Sequence, residues 1–178
     1  MLNRSILAVC VVALSGCQPW KVVREADANP LAGKTSVGLQ WLEWSGVWVD
    51  GVPEEAWASS HDDWMKDWAA NKSVGASSFR KGLSDRLAGG TLSLLTKPDP
   101  TGSALLLRPT VVELTTGGWK PTSLKISVLV LDGKGTPLEE ISTVAKSKND
   151  GSFEGRLAEA AALAGQHVAS YLQQRSKN

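Results

Sequence analysis

Cysteine is nearly absent from this 178-residue chain: one stands at position 10, one at 17, and none follows. Beyond residue 17 no disulfide or thiolate metal cluster can form, so stability has to come from a packed core. Histidine is equally scarce, with His61 and His167 alone. Charge of one sign is missing too, since 19 Lys and Arg face 18 Asp and Glu. Such a balance gives no electrostatic case for nucleic acid or for a polybasic membrane surface. The apolar run at residues 6–14, ILAVCVVAL, covers only about 14 Å as a helix, against a hydrocarbon core of roughly 30 Å. A permanent spanning helix is therefore not expected there. Gly89-Gly90 and Gly117-Gly118 lie in neither GxxxxGK nor GxGxxG and read as turns rather than phosphate loops. No internal repeat or low-complexity tract is visible.

What is present at the N-terminus is an address. MLNRS supplies a short positive start with Arg4, residues 6–14 supply an apolar centre, and small residues precede Cys17. That is the order of a secretory signal. Leu14-Ser15-Gly16-Cys17 resembles the lipobox of bacterial lipoproteins. The resemblance implies cleavage after Gly16, a thioether-linked diacylglycerol on Cys17 and acylation of the new amino terminus. The competing reading is an ordinary signal peptide with an incidental cysteine. Two or more buried acyl chains anchor a protein stably, at about 0.8 kcal/mol per CH₂. Gln18 in place of an aspartate favours, by the sorting rule of such lipoproteins, the outer membrane. After this processing Cys10 is lost and Cys17 is capped, so neither cysteine catalysis nor a disulfide is expected. No cofactor and no metal is expected either.

The mature chain is one domain in length. Residues 1–16 are expected as the removed signal and 17–33 as a lipidated tether, with Val22 and Val23 able to pack. Residues 34–178 are expected as a single α+β domain. A first strand is expected over 35–44, TSVGLQWLEW, by alternation. Pro53, with Glu54 and Glu55 after it, opens a helix to about residue 71. A second helix runs over about 77–87, with Phe79, Leu83 and Leu87 at four-residue spacing and Gly89-Gly90 as its stop. A short strand at 91–96 and a long one at 104–114 follow, the latter expected to bend or bulge at Pro109. Residues 123–131 alternate most clearly, through Leu124, Ile126, Val128 and Val130. Asp132-Gly133-Lys134-Gly135 is hairpin chemistry, and 138–146 returns as a polar edge strand. Phe153, Leu157, Ala161, Ala164, Val168 and Leu172 mark one face of a closing helix. The order β-α-α-β-β-β-β-α predicts a single, mainly antiparallel sheet of four to five strands with helices on one face.

That order is similar to a group of small bacterial lipoproteins, many of them domains of unknown function. Their fold is akin to the lipoproteins that activate penicillin-binding proteins and those of curli secretion. The residues that carry the likeness are the lipobox, TSVGLQWLEW, the pair LLLRPTVVEL and LKISVLVLDGKG, and EGRLAEAAALAGQHVASYL. The tryptophan-rich stretch 41–68 departs from the group's pattern. The likeness implies a non-enzymatic protein that binds other envelope proteins.

Aromatics are where the chain is most unusual. Phe and Tyr together number three, while Trp numbers eight. Trp57, Trp64 and Trp68 share one helical stripe, which reads more readily as core than as a platform; a buried Trp removes roughly 150–250 Å² from water. Trp44, Trp48 and Trp119 are the candidate binding residues, for a partner protein or a sugar ring. SSHDDW at 59–64 is the one cluster of Ser, His and Asp. Neighbouring helical residues point about 100° apart, so a triad or a metal site there is not expected. Arg80, Lys81 and Arg86 read as solvated and paired. The expected function is a membrane-anchored periplasmic lipoprotein, held by lipid on Cys17, that binds another envelope component, most simply a protein. A glycan- or lipid-binding module using exposed tryptophans is the alternative. A small hydrolase is a weaker one and needs His61, His167 and a serine or carboxylate within reach of each other.

Overall fold

The protein is described as a computed structural model covering residues 18–95, 97, 104–118, 120–148 and 151–177. In chain order its elements are β1 (Trp20–Arg24), β2 (Ser36–Leu39), β3 (Trp48–Val49), β4 (Val52–Pro53), α1 (Glu54–Ala58), α2 (Asp62–Leu87), β5 (Ser93–Leu94), β6 (Leu105–Thr115), β7 (Ser123–Leu131), β8 (Pro137–Lys146) and α3 (Phe153–Arg175). The three long strands form an antiparallel centre, β6–β7–β8, in which Leu124, Ile126, Val128 and Val130 are fully buried on one face.

The expected sheet of four to five mainly antiparallel strands is corrected. The sheet has eight strands and is mixed, ordered β1-β8-β7-β6-β2-β5, with β3 paired to β6 and β4 to β3. The added strands are β1, β3 and β4, and the last two have two residues each, too short to show a period of two. The parallel pairings, β2 and β3 with β6 and β2 with β5, come from one irregular edge. From Ser36 to Asp50 the chain follows β6, bonding at Gln40, Glu43 and Asp50 through single amides. The expected strand over 35–44 is therefore regular only as far as Leu39. In β6 the register shifts between Val111 and Glu113 rather than at Pro109 itself. Pro109 offers its carbonyl to the Glu43 amide at 3.0 Å, a bond that needs no N–H from proline.

Two expected elements also move. The helix break lies at residues 59–61, not in the seventies. There Ser59 Oγ and Ser60 Oγ donate to the carbonyls of Ala56 and Trp57, ending α1, and α2 then runs unbroken through Gly75. A Cβ at Gly75 would stand 3.0 Å from the Trp44 ring, so that glycine makes room for an indole rather than ending a helix. Part of the expected tether is structured: β1 pairs with β8, which makes β8 an interior strand, and Leu31 is fully buried. The closing helix matches its stripe. Leu157, Ala161, Ala164, Val168 and Leu172 are all fully buried, and Ser152 caps it by accepting from the Gly155 amide at 3.2 Å.

Helices α2 and α3 cross on one face of the sheet and share its core. The other face carries the alternate residues of β6, β7 and β8, which are partly exposed. Among the described residues no helix packs on it.

Candidate functional site

The open face is built by register. Arg108, Leu129, Glu140 and Arg24 stand opposite one another across β6, β7, β8 and β1, and Thr110, Ser127, Ser142 and Lys21 form the next row. A third row runs Trp48, Glu113, Lys125, Val144. Both charges alternate across it, and Ser127 Oγ donates to Glu140 at 2.8 Å. A surface of mixed charge with Leu129, Val144 and an indole can meet a partner with directed hydrogen bonds and some apolar contact.

The tryptophans divide sharply. Trp57 and Trp68 are buried and lie 5.2 Å apart between ring centres. Trp44 is 7% exposed and meets Trp68 edge-on at 6.1 Å. Trp44 was expected at a binding surface; its position beneath Gly75 of α2 puts it in the core instead. Trp48 is 50% exposed, at the end of the third row. Trp119, Cys17 and the segment expected as a signal lie outside the described residues. Trp41, which sequence reasoning did not single out, is the most exposed indole among the described residues, at 60%. It walls a groove of about 480 Å³ with Glu43, Ser45, Lys72 and Ser73. Its signal was a run, 40–50, where strict alternation fails, so neighbouring tryptophans can point anywhere.

Trp64 is 36% exposed and packs on Phe153 at 5.0 Å and on Trp57 at 5.7 Å. With part of the ring already in water, Trp64→Ala is expected to cost about 2 kcal/mol, less than a fully buried Trp would. Chemical denaturation checks this; an unchanged midpoint would show that the ring does not serve the core.

The histidines are separately engaged. His61 Nδ1 lies 2.8 Å from the Trp57 carbonyl and 3.0 Å from Ser60 Oγ, with the ring stacked on Trp57 at 4.4 Å. A carbonyl only accepts, so Nδ1 carries the proton and is not a base toward Ser60. Asp63 pairs with Lys66 rather than with His61. His167 Nδ1 lies 2.8 Å from Thr143 Oγ1, which donates to the Pro19 carbonyl. The two histidines thus share no partner, contrary to what the hydrolase reading needs. Among the described residues no group of three His, Cys, Asp or Glu side chains could hold a metal ion.

Burial holds the His167 pKa below its ordinary value of 6.5. The unfolded chain therefore binds the proton first as pH falls. Stability contributed by neutral His167 is whole above about pH 6.5 and declines below it. The melting temperature should fall between pH 6.5 and 5 more steeply than that of His167→Gln; parallel profiles would contradict this.

One cluster escaped the sequence reading. Glu139, fully buried, accepts from Tyr171 Oη at 2.6 Å and from Arg175 Nη2 at 2.7 Å, and Arg175 Nη1 reaches Glu25 at 3.0 Å. Burial, then the bond to Glu139, raises the Tyr171 pKa, and the same carboxylate raises that of Arg175. Tyr171 and Arg175 are four apart on α3, a spacing that was available. A polar residue on a strand taken for an edge gave no reason to look for their partner. The cluster ties β1, β8 and α3 together and is structural. Arg80, Lys81 and Arg86 are engaged: Lys81 with Asp85, Arg86 with Ser170 Oγ, and Arg80 with the Leu95 carbonyl at 3.4 Å.

No protein-family model matches the chain, and no curated protein matches it in sequence. Solved structures with a similar chain path include a PelC dodecamer from Paraburkholderia phytofirmans, 11% identical over 83% of this chain and 96% of that one, with a TM-score of 0.39. A second PelC dodecamer from the same organism, a single-residue variant, is 13% identical over 86% and 97%, with a TM-score of 0.42. An uncharacterised protein is 14% identical over 83% and 97%, with a TM-score of 0.41.

Proposed function

We propose that this protein is a non-enzymatic lipoprotein, anchored in the outer membrane by acyl chains on Cys17 and facing the periplasm, that binds another envelope protein. The observation that supports binding is the uncovered sheet face, with its three cross-strand rows of mixed charge and apolar side chains. Its rows are fixed by strand register, so the face is rigid before any partner arrives and loses little entropy on binding. A photo-crosslinking residue at Leu129 in membranes should give one discrete adduct, while the same residue at Lys81, on the helical side, gives none. No adduct from Leu129, or the same adducts from both, would refute the assignment.

The second reading, a glycan-binding module, is favoured by exposed Trp41 and its largely apolar groove, to which Glu43, Ser45, Lys72 and Ser73 add polar groups. Stacking of a sugar ring on that indole would shift its emission. Titration with peptidoglycan fragments separates the two, since Trp41→Ala removes a glycan response and leaves the Leu129 adduct.

A further inference from the structure

We infer that the end of the sheet nearest Cys17 is a membrane-contact surface that sits on the headgroups of a phospholipid bilayer, with Trp48 as its interfacial anchor. This rests on the proposed lipidation of Cys17. The stretch expected as a spacer does not act as one. The Pro19 carbonyl accepts from Thr143 Oγ1 at 2.8 Å, and Trp20 stands opposite Thr143 with its ring edge-on to Tyr171 at 6.2 Å. Only Gln18 separates Cys17 from the first anchored residue. At about 3.5 Å per residue, the Cys17 Cα lies no more than about 7 Å from that of Pro19. An acylated Cys17 sits at the lipid surface, so the domain has no slack to stand clear of it.

Register says which end faces down. β1 is antiparallel to β8, so the chain before Trp20 runs toward Lys146. Lys146 is opposite Ser123, and Ser123 is opposite Thr115, so the β6–β7 connection lies at this end. The β3–β4 hairpin does too, because Trp48 and Val49 pair with Glu113 and Leu114. From β1 to β3 is four strand spacings, about 19 Å, which is the width of the footprint.

The side chains at the two ends differ. At the Cys17 end of the sheet stand exposed Trp48, Val52, Val112 and Val144, with exposed Lys120, Lys146 and Lys148 and the exposed acids Asp50 and Glu113. At the far end the β7–β8 turn, residues 132–136, is Asp-Gly-Lys-Gly-Thr. Tryptophan prefers the headgroup layer, where its ring is in apolar surroundings and its N–H stays wet, and lysine reaches phosphate from there. The surface is also built. Asp50, at φ 49°, accepts from both the amide and the hydroxyl of Thr116, fixing the hairpin to the β6–β7 loop. Arg156, buried, donates to Thr122 Oγ1 at 3.2 Å and to the Gly151 carbonyl at 2.6 Å, fixing that loop to the start of α3. Seated this way, the strands rise from the bilayer and the open face looks along it. The proposed partner would then be one held close to the same membrane.

The test uses the mature chain from Cys17, its sole cysteine, coupled through maleimide lipid to vesicles of phosphatidylethanolamine and phosphatidylglycerol. A fraction of the lipid carries bromine near the headgroup. Tryptophan emission should be quenched, Trp48→Phe should lose roughly half of that quenching or more, and Trp41→Phe should keep it. Unquenched emission, or quenching equal in Trp48→Phe and wild type, would overturn the inference. The chemical coupling does not depend on cellular lipidation, which is read separately from the mass of the membrane-extracted protein. Acyl mass without quenching removes the contact surface and keeps the anchor; quenching without acyl mass does the reverse.

Discussion

Gly165→Ala is expected to lower the melting temperature by about 6–12 °C, the equivalent of roughly 3 kcal/mol in a chain of this size. A Cβ built at Gly165 would stand 2.2 Å from the Phe79 carbonyl oxygen and 2.7 Å from the Leu83 amide nitrogen. On the facing helix, a Cβ at Gly82 would stand 2.0 Å from the Ala162 carbonyl oxygen. These obstacles are backbone, not the ends of movable side chains, so α2 and α3 would have to part along a shared core. Helix propensity alone argues the other way, since alanine in place of glycine gains about 1 kcal/mol in a helix interior. A neutral or raised melting temperature would therefore show that the helices do not touch backbone to backbone. Gly82→Ala should behave alike, and the double variant should cost less than the two singles together, because once the helices part the second methyl has room.

Glu139→Ala is expected to be at least as damaging, at about 3–5 kcal/mol by denaturant midpoint. It strips partners from two groups at once: the Tyr171 hydroxyl and the largely buried Arg175 guanidinium. What remains is a charge taken out of water with only exposed Glu25 beside it. Replacing both members, as Glu139→Leu with Arg175→Met, should recover most of the loss, because an apolar pair carries no desolvation cost. If the double variant is no better than Glu139→Ala, the loss comes from packing, and the charge pairing is incidental. Since Arg175 also accepts Asn29 Nδ2 at its carbonyl, at 2.7 Å, the same variants report on how firmly the N-terminal segment is held.

How much could be read beforehand depended on the length of each regular run. β7 and α3 were legible because nine and twenty-three residues repeat a period long enough to recognise. β3 and β4 were not, since two residues define no period, whereas the short strand expected at 91–96 appears as β5. The stretch 35–44 was read as one regular strand, but beyond Leu39 its contacts to β6 are scattered single amides, made where side-chain alternation has lapsed. That lapse also hid which tryptophan faces outward. Trp41 and Trp48 came out exposed and Trp44 buried, and only the packing of Trp44 under Gly75 decides it. The fixed position of residues 20–31 rested on Leu31, Asn29 and Glu25, each meeting a partner more than a hundred residues away or a core not yet assembled. Non-local partners of that kind leave no trace in local sequence.

The account turns on the chemistry of residue 17, and the intact mass of the protein extracted from membranes measures it most directly. The predicted result is a chain that starts at Cys17 and carries diacylglycerol with an additional acyl group, and a Cys17→Ser variant that lacks both and leaves the membrane fraction. A membrane-extracted chain with an unmodified thiol at Cys17, or a Cys17→Ser variant that fractionates unchanged, would contradict it.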